Sequence, residues 1–373
     1  MPSLVANEQV LRRDIEQEMK LLSITLPYLL LVTFYTGPLK DFGPEKISAI
    51  NNSPYQGVAV PLIGAYDTGE YTMDNFSASV TQIKDGTKKD IWPWVFFNRF
   101  IGHKEGGRAL SKAANQSYFN SINAMDLYNK AGALGDFYGI WKMSLEIAKE
   151  LGSPGIVVDP EAYNNYHTYK ISYIASETGK TNEQVKKSLL EIGRELARIA
   201  DKTYPGATIW FLFSGLGNPM RSLNSFADEE YRSVTYIIRG MLEYAKENGS
   251  KLRFVSGGML SLGYCYESLG NLKYKIRTRN SDFKEPLNIF SDLHLGGTIA
   301  PWVDAELKKE GYFTKGVCGK SKLKILRDFK PLIKYLLESY QYVWIYAAGA
   351  VRYNPYNENT ASEYNKTIGE VIK

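Results

Sequence analysis

The chain has 373 residues, 44% of them hydrophobic, which is enough to bury a large core in one large domain or two small ones. Its net charge of +5 is small for this length, and Lys and Arg alternate with Asp and Glu, so the sequence does not predict nucleic-acid binding. Cys265 and Cys318 are far apart and the three His residues are dispersed. Neither a disulfide framework nor a metal site is therefore predicted, and no cofactor is expected.

The N-terminal residues 1–27 are predicted to form an amphipathic capping helix, because charged and apolar side chains alternate along residues 1–20. The apolar run 28–35 is predicted to be a buried strand. The longer apolar run 21–34 is too short, and interrupted by Pro27, for a membrane span. We expect a cytoplasmic protein without stable membrane insertion. A start at Met19 would place a signal-like sequence first, which leaves a secreted form open.

Apolar, strand-like runs recur along the chain, with segments of helical periodicity between them. The predicted strands are residues 28–35, 57–63, 91–98, 155–161, 207–213, 252–256, 294–301 and 342–347. The clearest helices are residues 134–151, 182–202, 228–248 and 323–339. Thr181, three residues before Gln184, predicts a helix start, and Gly249 predicts a helix end.

Eight strands that alternate with helices predict an α/β fold, the (β/α)8 TIM barrel. The alternative is a doubly wound open sheet, but no G-x-G-x-x-G or P-loop motif follows the first strand. No repeat or Pro/Ser-rich linker interrupts the chain, so residues 1–373 are predicted to be one domain. Residues 99–132 form an unusually long third βα loop, which we interpret as an elaborated lid.

Two carboxylates, Asp159 and Glu161, stand two residues apart where an apolar strand ends. Side chains at positions i and i+2 of a strand point to the same side, and parallel α/β folds carry their chemistry at the C-terminal ends of strands. The pair is therefore a candidate active site. The alternatives are a solvated loop pair, or a cap for the next helix by Asp159.

The predicted mouth of the barrel is rich in aromatic side chains, in keeping with a chain that contains 27 Tyr and 6 Trp. Such side chains offer an apolar face with a polar handle, which suits a sugar ring. The alternative interpretation is that each of these aromatic side chains packs in the core, and that Trp344 in particular lies in the top core layer. The predicted substrate-binding residues are Tyr35, Asp67, Trp94, Asn98, Arg99, Tyr163, Trp302, Trp344 and Tyr346.

The segment Gly155-Ile156-x-x-Asp159-x-Glu161 on strand 4, together with Trp344 on strand 8, resembles TIM-barrel glycoside hydrolases with a D-x-E signature. These are the family 18 chitinase-like proteins and the family 25 lysozymes. The resemblance implies that Glu161 is the general acid and that Asp159 assists it. The chain departs from the chitinase signature, since Val157 and Pro154 stand where two further aspartates would be. An uncharacterised glycosidase-like barrel family is an alternative that fits this departure.

Cleavage of a glycosidic bond needs a protonated carboxyl group and a second group that attacks or stabilises the sugar. Asp304, after strand 7, is the predicted second group, with Asp67 and Glu267 behind it. The chitinase resemblance implies that the acetamido group of the substrate could serve instead. The sequence thus predicts a glycoside hydrolase with a carbohydrate substrate. A barrel lyase or isomerase acting on a small carbonyl compound, and a non-catalytic sugar-binding barrel, remain alternatives.

Overall fold

Ten β-strands form two separate sheets within the part of the chain that the structure describes. The computed structural model describes residues 27–33, 37–63, 71–97, 101–103, 122–125, 127–128, 130, 132–161, 169–217, 232–263, 266, 268–300, 326–347 and 358–372. The strands are β1 (Tyr28–Thr33), β2 (Gly57–Pro61), β3 (Asp90–Phe96), β4 (Ile101–His103), β5 (Ile122–Met125), β6 (Gly155–Asp159), β7 (Thr208–Phe211), β8 (Arg253–Ser256), β9 (Leu293–Ile299) and β10 (Tyr342–Ala347). The predicted capping helix lies outside these ranges except for Pro27.

Eight of the strands close into a parallel barrel in the order β1-β10-β9-β8-β7-β6-β3-β2, with β2 returning to β1. Each pairing within this sheet is parallel, as between Tyr28 and Tyr342 or between Phe96 and Asp159. Helices surround the barrel, so the chain has the (β/α)8 fold that its sequence predicts. All eight predicted strands are confirmed. They read as nearly continuous apolar runs because a barrel strand is buried on both faces.

The helices lie between and around the barrel strands. They are α1 (Pro44–Asn51), α2 (Asp74–Gly86), α3 (Ala133–Glu150), α4 (Ile171–Thr178), α5 (Asn182–Thr203), α6 (Arg232–Asn248), α7 (Met259–Leu262), α8 (Leu269–Asp282), α9 (Lys284–Ile289), α10 (Leu326–Ser339) and α11 (Glu358–Val371). The predicted start of α5 is confirmed as a capping box, in which Thr181 and Gln184 exchange hydrogen bonds. Gly249 follows α6 with a φ of 59°, which confirms the predicted helix end.

Four aromatic rings fill the barrel interior near its N-terminal end. Trp210 contacts Tyr28, Trp92 and Tyr342, with ring centroids 6.3, 5.7 and 5.3 Å away. Trp210 lies on β7, which is not a neighbour of β1, β3 or β10 in the sheet, so its ring can meet the other three only inside the barrel. Trp92 Nε1 donates to Tyr28 Oη over 2.8 Å, and that hydroxyl donates to Asp90 Oδ2 over 2.7 Å. The hydrogen-bond chain ties the rings to the lower end of β3.

A short antiparallel sheet lies within the predicted third βα loop, where β4 pairs with β5. Neither strand was predicted from the sequence, because segments of three and four residues carry too little alternation to be recognised. The interpretation of residues 99–132 as a lid remains a prediction.

Helices α5 and α6 pack so closely that their backbones touch through two glycines. A Cβ on Gly193 would overlap the carbonyl oxygen of Ile237, and a Cβ on Gly240 would overlap that of Leu190. We expect Gly193→Ala to destabilise the protein by about 1 to 3 kcal/mol, because the helices must move apart. Urea unfolding measures this.

Gly139 provides the matched control, since it lies on α3 and a Cβ placed there would have no neighbouring heavy atom within 4 Å. Gly139→Ala should stabilise the protein by about 0.5 to 1 kcal/mol through helix propensity. Equal effects of the two substitutions would contradict the close contact.

His294 gives the stability of the barrel a pH dependence. Burial lowers the pKa of His294 below its ordinary value of 6.5, and the charge of Arg253 lowers it further. Stability from this neutral side chain is fully present above pH 6.5, and it is lost as the pH falls through 6.5 towards the lowered pKa. We expect the free energy of unfolding to decrease between about pH 7.5 and about pH 5.5, and His294→Asn to reduce that decrease. An unchanged slope in the variant would contradict this assignment.

Candidate active site

Strand β6 delivers the predicted carboxylate pair to the C-terminal end of the barrel. Asp159 is its last residue and is fully buried, while Glu161 follows it and is only half-buried. The backbone N–H of Glu161 donates to Asp159 Oδ1 over 2.9 Å. This hydrogen bond fixes the Asp159 carboxylate and leaves Glu161 as the more accessible acid.

Tyr169 lies beside this pair and was not singled out from the sequence. Its side chain is fully buried. Burial raises the pKa of its phenol well above 10.0, and the charges of Asp159 and Glu161 raise it further. The charges of both carboxylates therefore affect the Tyr169 phenol. A tyrosine-rich segment, residues 162–173, was the only signal in the sequence.

Strand β3 runs beside β6 and brings aromatic side chains to the same end. Trp94 is paired in register with Val157, and Phe96 with Asp159. The rings of Trp94 and Phe96 lie 4.8 Å apart, and both side chains are buried. Trp94 thus lies on the strand beside β6, and its burial favours packing over direct contact with a ligand.

Trp344 is fully buried on β10, which supports the interpretation that it belongs to the core. Its Nε1 donates to the carbonyl oxygen of Gly257 over 2.8 Å, so the ring also fixes the turn after β8. Tyr346, two residues further along β10, is half-buried and contacts Trp344 with ring centroids 6.3 Å apart. Of these two predicted binding residues, Tyr346 is the more accessible.

A buried arginine holds the neighbouring strand ends together. Arg279 on α8 donates to the carbonyl oxygens of Ser256 and Gly296, over 2.5 Å in each case. Its guanidinium also lies near the rings of Phe283 and Tyr340, 5.4 and 5.2 Å from their centroids. Arg279 was not predicted from the sequence, because nothing distinguishes a buried arginine from a surface one on a helix this polar.

Eight of the candidate site residues lie outside the described residues, and their roles stay predictions. They are Tyr35, Asp67, Asn98, Arg99, Tyr163, Glu267, Trp302 and Asp304. Of the remainder, Asp159 lies at the end of β6 with Glu161 just after it, and Trp94 lies on the adjacent strand β3.

Within the ranges described, no set of three or more His, Cys, Asp or Glu side chains is arranged to hold a metal ion. None of the described helices is long and apolar enough to cross a membrane.

No family model matches the chain, and no curated protein matches it. Several solved structures resemble the chain at low sequence identity, with TM-scores below 0.5. A GH5-4 broad specificity endoglucanase from an uncultured bacterium is 12% identical, with 88% of this chain and 84% of that chain covered and a TM-score of 0.47. A 3-keto-D-glucoside 4-epimerase from E. coli is 14% identical, with 92% and 98% covered and a TM-score of 0.41. An endo-glycoceramidase II from Rhodococcus sp. is 7% identical, with 92% and 78% covered and a TM-score of 0.47.

The two interpretations of Trp344 differ in what its removal does. We expect Trp344→Ala to cost about 3 to 5 kcal/mol of stability, because a fully buried ring is lost from the barrel interior. Trp344→Phe keeps most of the volume and loses only the N–H donor, so it should cost less. Thermal melts of both variants measure the difference. A Trp344→Ala protein with wild-type stability and weakened binding of oligosaccharides would instead support the interpretation that Trp344 binds the substrate.

Proposed function

We propose that this chain is a glycoside hydrolase in which Glu161 is the general acid and Asp159 assists it. The observation that carries the proposal is the placement of the two carboxylates at the C-terminal end of a buried barrel strand, with Asp159 fixed by the Glu161 backbone N–H. In (β/α)8 enzymes this end of the barrel is where the βα loops form the active site.

The two carboxylates differ in their surroundings, as an acid and its partner must. Asp159 accepts a backbone hydrogen bond, which favours its ionised form, although its full burial acts in the opposite direction. A negative charge held beside Glu161 disfavours ionisation of the second carboxyl group. Glu161 would therefore retain the proton that a leaving glycosidic oxygen needs, and its half-buried position leaves it within reach of a substrate.

A second group must complete the reaction, and we keep Asp304 as the first candidate, with Asp67 and Glu267 as alternatives. A nucleophile would have its carboxyl group about 5 to 5.5 Å from that of Glu161, and an inverting base about 6.5 to 9.5 Å away. Substrate assistance by an acetamido group is the further route that the D-x-E resemblance implies. Aromatic residues of the mouth, such as Tyr346 and Trp302, would support the sugar ring.

The decisive test is Glu161→Gln, which keeps the shape of the side chain but cannot deliver a proton. We expect it to lower the rate of hydrolysis by a factor of about 10² to 10⁴ while the fold is retained. Release of reducing ends from a panel of polysaccharides, together with cleavage of aryl glycosides, measures the rate. Glu177→Gln is the matched control, because Glu177 is an exposed glutamate on nearby α4.

A Glu161→Gln protein with wild-type activity would exclude Glu161 as the acid. Failure of the wild-type protein to release sugar from any substrate of the panel would instead favour a barrel lyase or isomerase, or a non-catalytic sugar-binding barrel. Binding of oligosaccharides without turnover would then indicate a sugar-binding barrel, and absence of binding would indicate a barrel enzyme of another class.

A further inference from the structure

We propose that Arg279 is a positioning residue for the substrate-binding mouth: through the carbonyl group of Gly257 it orients the aromatic rings of Trp344 and Tyr346. The consequence for substrate binding rests on the function proposed above, whereas the effect on Trp344 does not. Nothing in the D-x-E resemblance assigns a role to Arg279, which lies on α8 outside the barrel strands.

The peptide group that joins Ser256 to Gly257 is held from two sides. Its carbonyl oxygen accepts from Arg279 Nη2 over 2.5 Å. Its N–H donates to the carbonyl oxygen of Phe211, at the end of β7, over 2.7 Å. Arg279 Nη1 donates at the same time to the carbonyl oxygen of Gly296 on β9, also over 2.5 Å. The plane of this peptide group is therefore fixed between β7 and a guanidinium that is itself tied to β9.

The two glycines of this turn cannot hold that orientation by themselves. Glycine has the widest choice of backbone conformations, and Gly258 lies in the left-handed region with a φ of 89°. A Cβ on Gly258 would lie 3.1 Å from the guanidinium carbon of Arg279. A Cβ on Gly257 would lie 2.9 Å from Trp344 Nε1. The turn must be this small to fit between the two side chains, so its rigidity has to come from hydrogen bonds with other elements.

The Gly257 carbonyl oxygen carries this orientation to the aromatic side chains of β10. It accepts from Trp344 Nε1 over 2.8 Å, so the direction of the carbonyl group influences where the indole lies. The Trp344 ring contacts the Tyr346 ring, with centroids 6.3 Å apart and planes inclined by 68°. Tyr346 is half-buried, so a change in the indole reaches a side chain that is open to solvent.

A guanidinium suits this position better than an ammonium group. Arg279 is fully buried, and its guanidinium lies 5.4 and 5.2 Å from the ring centroids of Phe283 and Tyr340. A planar guanidinium presents its N–H donors in a rigid fork, whereas the lysine ammonium is a compact charge on a flexible stem. Arg279→Lys therefore keeps the charge but loses the fork that spans two strand carbonyls.

The experiment follows the indole N–H of Trp344 by ¹H–¹⁵N NMR in Arg279→Lys, with Trp344→Phe used to assign the signal. We expect Arg279→Lys to shift this signal and to speed its hydrogen exchange by about three- to tenfold, because the Gly257 carbonyl group is held less firmly. Arg277→Lys is the matched control, because Arg277 is exposed on the same helix and its guanidinium lies 5.8 Å from the ring centroid of Tyr274.

Trp141 provides a reference within the same spectrum. Its buried Nε1 donates to the Leu196 carbonyl oxygen over 3.0 Å, where α3 packs on α5. A general loss of stability would speed exchange at both indoles, whereas loss of the Arg279 fork should affect Trp344 alone. If Arg279→Lys does not fold, Trp344→Phe tests the coupling from the other end, because release of the Gly257 carbonyl group should shift the Arg279 Nε–H signal.

Substrate binding is the second readout, measured with any oligosaccharide that the wild-type protein hydrolyses. Arg279→Lys should raise KM by about three- to tenfold with kcat nearly unchanged, because the candidate catalytic pair lies at β6. The double variant with Trp344→Phe should raise KM no further than the larger single effect, since both changes act through the Gly257 carbonyl group.

A Trp344 signal that is unchanged in Arg279→Lys, or equally shifted in Arg277→Lys, would overturn the proposal. A shifted signal with unchanged KM would overturn its consequence for substrate binding. The NMR result does not depend on turnover. A shifted signal in a protein that hydrolyses nothing would therefore support the role of Arg279 while the hydrolase proposal fails, and an unchanged signal in an active hydrolase would do the reverse.

Discussion

The packing of Tyr28, Trp92, Trp210 and Tyr342 inside the barrel is the contact on which the arrangement of the strands depends. A closed barrel of eight parallel strands leaves an interior that side chains must fill. Here large rings from four strands fill its lower part, and Gly57 is small where a Cβ would collide with the Tyr28 hydroxyl. Strands fixed at one end by this packing present the residues at their other end in a defined register.

The opposite end of the barrel is organised by polar contacts to backbone groups. Trp344 donates to the Gly257 carbonyl oxygen, Arg279 donates to two strand carbonyls, and the hydroxyl groups of Ser214 and Ser256 lie 2.9 Å apart in a hydrogen bond. Asp159 follows the same pattern, because it accepts from the backbone of Glu161. Backbone contacts thus take part in holding Asp159 next to the candidate acid Glu161.

The sequence predicted the barrel because its signal is repeated eight times, and a buried parallel strand leaves a continuous apolar run. It also predicted where Asp159 and Glu161 would lie, since strand geometry and the position of strand ends decide this. It could not predict Tyr169 or Arg279. The contacts of both residues arise from tertiary packing. A tyrosine or an arginine is an ordinary residue in the sequence around these two positions, so nothing local predicts the contacts. Strands β4 and β5 were missed because short segments carry little periodicity.

The Arg279 contacts also bear on which parts of the mouth can move. Drawing β8 away from β9 at this end would leave a buried guanidinium and two carbonyl oxygens without partners, a costly state in an apolar environment. Local opening of a protein follows the routes of lowest free energy, which avoid such groups. The β8–β9 side of this end of the barrel should therefore open less readily than it would without the Arg279 contacts.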